Sequence, residues 1–429
     1  MVKNKFSLLL ILSLTIFIVF FIQTNISLKK YDKYIVSENG TKHHGIVKEA
    51  PLFHIFIEAQ KFKDRLSNKQ IDKDFYNVGY KSHLLPQRIL GIYAFVFNVD
   101  FFEEDFSSLT FDSNKQNVND IFTVKYGGKF LYLIFQKFIY LIICLYLFLT
   151  LTKKIKNSNI PIFVTSFLLI EPTINQYHMT FYGESIFFSF LVLLLAMIVN
   201  LPKNNFHYFL LGILLLLMTF QRSISLFMPL IISFLVAVTF KRKSINKISI
   251  MLFTYVFLIL LLGYSNYKET QKFYFLPWQT KSDLYDYFIP NIIKHKKDIS
   301  ATEVNNLLNK KKIEFLKDKG LDTNTANYNL DLLDFKQKYA LKVIFENKVL
   351  TIKTFLKNSL HSTLLNPFEQ KSKSNFGPNY YKNEQHQNQI KFRIIYSLIL
   401  YSIMIFGLVK SFINRYSFSY PFLLLSFYI

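Results

Sequence analysis

Glu171, His178, Glu184 and Arg222 stand at the ends of apolar runs in an otherwise greasy stretch of chain. The first three fall within "EPTINQYHMTFYGESIFFSFLVLLLAMIVN" (171–200), and Arg222 sits in "QRS" (221–223) between two further runs. Their types suit the handling of an anion and a hydroxyl. An arginine fork grips a phosphate or carboxylate bidentately, and a carboxylate orients such a fork or accepts a proton. A charged side chain at membrane depth is costly and persists with a partner or a task. Competing accounts place Glu184 solvated at headgroup level, let Arg222 snorkel, and give Glu171 and His178 purely local roles. Short flanking runs leave Arg222 little room to wander, which favours a task for it.

The elements that must position these residues are membrane helices. Apolar stretches recur at about 6–26, 129–152, 158–175, 182–200, 206–220, 223–240, 246–266, 391–413 and 416–429. Several exceed the ~18 residues of a spanning helix, and the shorter ones are closely paired. Hydrophobic residues are 51% of the chain and mean hydropathy is +0.22, beside a formal charge of +23. The expected fold is an all-α polytopic membrane protein with about nine transmembrane helices. No small-residue cleavage pattern follows the first run, so it reads as an uncleaved anchor. Cys144 is the single cysteine and lies inside an apolar run, which leaves no disulfide framework and no thiolate metal site. No dense acidic cluster demands a metal, and the sequence leaves dependence on a divalent ion open. Lysines are scattered through loops rather than gathered in one stripe, which argues against a nucleic-acid partner. The abundance of Lys, Asn, Ile and Phe resembles that encoded by an AT-rich bacterial genome.

Short loops set the orientation. Lys3 and Lys5, then Lys153, Lys154 and Lys156, then Lys203, "KRKSINK" (241–247), and finally Lys410 and Arg415 alternate as cytoplasmic ends must. The expected location is the inner (plasma) membrane, multi-pass, with a cytoplasmic N-terminus. Two long segments, about 27–128 and 267–390, then lie on the extracytoplasmic face, level with Glu171, His178, Glu184 and Arg222. "LLPQRILGIYAFVF" (84–97) is too short to span and reads as an interfacial or re-entrant helix. In the second loop, "ATEVNNLLNKKKIEFLKDKG" reads as a helix closed at Gly320. The stretch 334–358 carries apolar residues at helical spacing with lysines opposite, as a helix lying on a bilayer would. The last run stops at Ile429 without a polar flank, which suggests a fragment lacking further helices.

This layout resembles the GT-C superfamily of membrane glycosyltransferases. "LLIEPTINQYHMTFYGESIFF" is similar to the family's Pro-containing helix end followed by a Thr/Ser-Glu pair, and "FHYFLLGILLLLMTFQRSISLFMPLI" resembles its next hairpin. "DFKQKYALKVIFENKVLTIKTFLKNSLHSTLLNP" (334–367) resembles the segment before its last helices. The nearest types would be the bacterial protein mannosyltransferases and lipid A aminoarabinose transferases. The resemblance implies a GT-C-like module at 1–266, an external loop region at 267–390 and C-terminal helices at 391–429. It implies inverting transfer of a hexosyl or pentosyl group from a polyprenyl-phosphate donor to a lipid-linked or protein acceptor, on the extracytoplasmic face, with membrane lipid as the other partner. No cofactor beyond the lipid-phosphate sugar is implied.

The family's catalytic carboxylate belongs to the first external loop, before an aromatic and an Ala. In "VKEAPLFHIFIEAQKFKDRL" (47–66) the match is Glu49, ahead of Phe53, Phe56 and Ala59, although the spacing departs from the family's own. Asp32 and Glu58 compete for the role, and Glu49 with Pro51 also reads as a helix-start acid. In the implied chemistry Glu49 takes the acceptor's proton, Arg222 steadies the departing phosphate, and Glu184 and His178 complete the substrate-binding set. No Gly-rich nucleotide loop is present, in keeping with a lipid-phosphate donor. A polysaccharide polymerase or ligase is the rival enzyme, disfavoured because the long loops are almost free of Arg. A flippase or transporter predicts charged or Pro-broken helices and an internal repeat, and neither is read here. Glu49→Gln should lower turnover by roughly 10²–10⁴-fold with membrane expression unchanged. Asp32→Asn and Glu58→Gln assayed beside it identify which carboxylate, if any, is the base.

Overall fold

The computed structural model describes residues 2–29, 34–37, 40–43, parts of 59–67, 84–100, 121–122, 126–155, 159–178, 184–201, 204–221, 223–240, 245–270, 273, 284–321 and 330–357, with scattered residues from 388 to 402. The chain forms two compact units, Met1–Pro277 and Trp278–Ile429.

Unit one is helical. Its helices are α1 (Val2–Lys29), α2 (Leu84–Val96), α3 (Tyr126–Lys154), α4 (Asn159–Ile170), α5 (Pro172–His178), α6 (Glu184–Val199), α7 (Asn205–Gln221), α8 (Met228–Phe240) and α9 (Ile245–Thr270). Among the described residues, three stretches are long and apolar enough to cross a membrane: Phe6–Thr24, Tyr132–Lys154 and Ile245–Tyr264. Four shorter apolar helices accompany them, at Asn159–Ile170, Ser185–Val199, Asn205–Gln221 and Ser225–Phe234. The runs at 391–413 and 416–429 lie almost wholly outside the described residues.

The all-α expectation holds for the bulk of the described residues, with one local exception. A small antiparallel sheet forms from β1 (Tyr34–Ser37), β2 (Gly40–His43) and β3 (Ile121–Phe122), in the order β2-β1-β3. Ser37 pairs with Gly40, so only two residues join β1 to β2, and the aromatic and β-branched "YIV" suits a strand. Tyr34 also pairs with Phe122, which closes the long segment between α1 and α3 back on its own start.

Packing gives the helix directions. Phe6 stacks on Phe148 and Phe17 meets Phe138, so α1 and α3 run antiparallel. Asn200, just past α6, donates to Thr150 near the end of α3, which sets those two helices parallel. Leu9, Ser13, Phe20 and Thr24 are the buried side of α1, while Leu8, Ile11, Leu14 and Ile18 are exposed. Those spacings place the two groups on opposite faces, one for protein and one of the kind a bilayer solvates. Helix α2 packs its Leu90, Tyr93 and Ala94 inward. Gly91 lets it approach Ala59 and Phe62, and the buried Lys63 holds Asp100 at 2.5 Å just beyond the helix.

Helices α7 and α9 approach closely at Gly212. A Cβ on Gly212 would stand 2.7 Å from the Met251 carbonyl and 2.9 Å from Thr254, so only glycine permits this approach. Further along, Thr219 Oγ1 and Tyr255 Oη share a 2.9 Å hydrogen bond, and the Tyr255 hydroxyl also reaches the Leu226 carbonyl.

Unit two gathers a π-turn at Leu284–Phe288 with α10 (Ile289–Lys297), α11 (Ala301–Asp318) and α12 (Leu330–Glu346). Its core is Tyr285, Ile289, Ile292, Ile293, Val304, Leu308 and Ala340. Burial pushes the Tyr285 phenol up, and its hydroxyl donates to the Leu308 carbonyl at 2.8 Å. Ser300 and Glu303 form a reciprocal capping box that starts α11. At the other end Gly320 adopts φ +64, while Leu321 N–H reaches Leu316 and Gly320 N–H reaches Lys317. That is a Schellman closure at the glycine read from the sequence.

Gly212→Ala should destabilise the protein by about 1–3 kcal/mol, because neither a backbone carbonyl nor the packed Thr254 can yield freely. A thermal unfolding midpoint in detergent, compared with wild type, checks this.

Candidate functional site

A proline sets the local geometry. Between α4 and α5 the chain reads Glu171–Pro172, and Pro172 has no N–H to offer the carbonyl four residues back. That carbonyl, on Leu168, instead accepts from the Tyr140 hydroxyl of α3 at 2.8 Å. The next one, on Leu169, accepts from Asn175 Nδ2 at 3.0 Å, and the same amide nitrogen serves the Glu171 carbonyl at 2.9 Å. Glu171 Oε2 in turn accepts from Ile174 N–H at 2.7 Å, capping α5. Glu171 is thus a helix-start residue here.

Asn175 has one further valence, its carbonyl oxygen, and Lys137 Nζ donates to it. Lys137 comes from α3 and is fully buried. Its Nζ lies 5.2 Å from the Tyr140 ring centre and 5.5 Å from that of Phe20 on α1, both within cation–π reach. Among the described residues no carboxylate pairs with it. Lys137 stands five residues inside the candidate span Tyr132–Lys154, about 8 Å along the helix from that span's start.

His178 completes the cluster. It is fully buried, its ring centre 4.6 Å from that of Tyr140. Nδ1 lies 2.7 Å from the Ile174 carbonyl. A carbonyl only accepts, so Nδ1 carries the hydrogen, and the neutral ring then presents a bare Nε2. That nitrogen is buried and has no hydrogen-bond partner among the described residues. A buried amine and a buried imidazole lone pair therefore share one apolar neighbourhood. Between them they offer a donor for an anion and an acceptor for a hydroxyl. The cluster joins the late part of α1, the early part of α3 and the end of α4, which is the end of the bundle remote from Lys153 and Lys154.

The sequence-derived candidates divide. His178 lies in the cluster. Glu184 opens α6, and its side chain is outside the described residues, as are Arg222, Glu49, Asp32 and Glu58. Lys137 is the residue that reading the apolar runs passed over. Its signal was present in "YLIFQKFIYLIICLYLFL", where one lysine interrupts a spanning run and calls for a partner. No groups of three or more potential metal ligands occur among the described residues. No protein-family model, curated protein or solved structure matches this chain.

Asn175→Ala should cost about 3–5 kcal/mol, since it strands a buried lysine, whereas Lys137→Met, which removes the buried polar group, should be neutral or stabilising. The double variant should recover only the lysine's share, because the Leu169 and Glu171 carbonyls still lack the Asn175 amide. Unfolding midpoints of the three proteins in detergent test this, and an unshifted Asn175→Ala would show that the lysine is satisfied elsewhere.

Proposed function

We propose that the protein is an integral membrane glycosyltransferase that moves a sugar from a polyprenyl-phosphate donor to an acceptor on the extracytoplasmic face. The observation that carries this reading is the buried Lys137 amine beside the bare Nε2 of His178, inside an apolar bundle. A lipid-phosphate donor brings its anionic group to membrane depth, where a lysine already desolvated by protein is worth far more than one in water. With the Lys-rich short loops taken as cytoplasmic, this end of the bundle faces the extracytoplasmic side in this reading. In this reading the acceptor oxygen forms its bond to the anomeric carbon as the carbon–oxygen bond to phosphate breaks. Polyprenyl phosphate leaves with the bonding pair, steadied by Lys137 and by the Arg222 fork. Glu49 takes the acceptor's proton, and His178 Nε2 receives a hydrogen bond from a substrate hydroxyl, with Glu184 orienting Arg222.

A second reading is favoured by the same lysine and by the break at Pro172, since charged and interrupted helices are also how transporters build their sites. In it the protein moves a lipid-linked sugar across the bilayer without transferring it.

Purified protein in proteoliposomes, given labelled hexosyl and pentosyl polyprenyl phosphates, separates the two. Wild type should transfer label to an acceptor, and Lys137→Met should lose about 10²-fold in rate with its unfolding midpoint preserved. Translocation of the donor without any transfer would support the transporter, and full transfer activity in Lys137→Met would overturn the role given to the lysine.

A further inference from the structure

Unit two leaves a long apolar stripe uncovered. Leu341, Phe345, Val349, Ile352 and Leu356 follow one another at spacings of four, four, three and four residues, and their exposures run from 39% to 82%. Phe355, 60% exposed, lies beside them. Such spacing keeps one face of a helix, yet α12 ends at Glu346 and helical residues resume over 348–357. The junction is repaired by side chains. Asn347 Nδ2 donates to the Val343 carbonyl at 2.7 Å, and Thr351 Oγ1 donates to Ile344 at 3.3 Å. Thr351 N–H meanwhile takes the Asn347 carbonyl at 2.9 Å. The stripe therefore passes the break without losing its face.

The other side of the same segment is what unit two uses. Ala340 and, more partially, Tyr339, Val343, Ile344 and Leu350 pack on its core, and Thr354 is buried. Lys336 is spent inside, paired with Asp286 at 2.9 Å. Lys338, Lys342, Lys348, Lys353 and Lys357 are all exposed, against Asp334 and Glu346 as the acids of 334–357. Lys353 and Lys357 border the apolar arc on one side, by helical position, and Lys348 falls beside Phe355. An apolar face flanked by lysines matches a surface that is apolar beneath and anionic above.

We infer that this stripe, Leu341 to Leu356, is seated in the interface of an anionic bilayer, with Phe345, Val349 and Leu356 among the acyl chains and the flanking lysines against lipid phosphates. The charge pattern selects lipid over a second copy of the chain, because a copy would bring its own lysines against these. The inference is independent of any transfer reaction.

Because the spanning helices already hold the protein in a membrane, the test must read depth rather than binding. Single cysteines at Phe345, Val349 and Leu356, and for comparison at Lys342 and Lys353, carry a fluorophore in the full chain. The native Cys144 is fully buried and does not compete for label. In phosphatidylglycerol liposomes a nitroxide-labelled lipid should extinguish most of the emission at the three apolar positions, and aqueous iodide should quench the two lysine positions instead. In phosphatidylcholine, lipid quenching at the apolar positions should weaken, as it should in phosphatidylglycerol for a Lys348→Glu, Lys353→Glu, Lys357→Glu variant. Iodide quenching all five positions alike overturns the inference, as does failure of both quenchers at the stripe, which would mean that protein covers it. Equal lipid quenching in the two lipids overturns the assignment of an anionic surface.

Discussion

The Leu168 carbonyl has no helical donor, because the residue four positions on is Pro172, and in an apolar bundle an unpaired carbonyl costs several kcal/mol. Satisfying it brings Tyr140 of α3 against the end of α4. With Tyr140 so placed, its ring becomes one wall for His178 and one for Lys137. Asn175 then repairs the second freed carbonyl and, with its remaining oxygen, takes the lysine. A backbone defect and a chemically capable cluster are thus the same structure seen from two sides. The helix break needs polar side chains, and the polar side chains carry a lysine and an imidazole into a region that composition alone would call inert.

Much of the architecture was legible because it rests on strong local signals. Leu8, Ile11 and Leu14 of α1 announce a lipid-facing helix by composition, and Ser300 with Glu303 and then Gly320 mark both ends of α11 by type and spacing. The 84–97 stretch was too short to span and is the 13-residue helix α2, anchored on the 59–67 segment. The sheet of β1 to β3 was not anticipated, since its strands are two to four residues long and one pairing joins residues some 85 positions apart, from Ile35 to Ile121. Sequence reading finds periods and caps and has no means of finding such a long-range match.

The cluster was only half legible for a related reason. His178 and Glu171 lie beside a proline at a helix end, where polar residues draw notice. Lys137 is averaged away in any window that scores a run of aromatics and aliphatics, although one ionisable group in such a run is the more informative residue. What Glu171 does could not be read from its charge either. Its carboxylate meets the Ile174 amide, a role that depends on where the helix breaks.

The distance in sequence between Lys137 and Asn175 has a meaning for how the chain is made. The lysine is synthesised 38 residues before the amide that accepts its hydrogen bond. At ~5–20 residues per second of synthesis the interval is about two to eight seconds. Phe20 precedes the lysine in the chain and Tyr140 follows it by one helical turn, so both rings that face the amine are made before Asn175. The surroundings of the amine are therefore completed in two stages of synthesis, the aromatic rings first and the amide second.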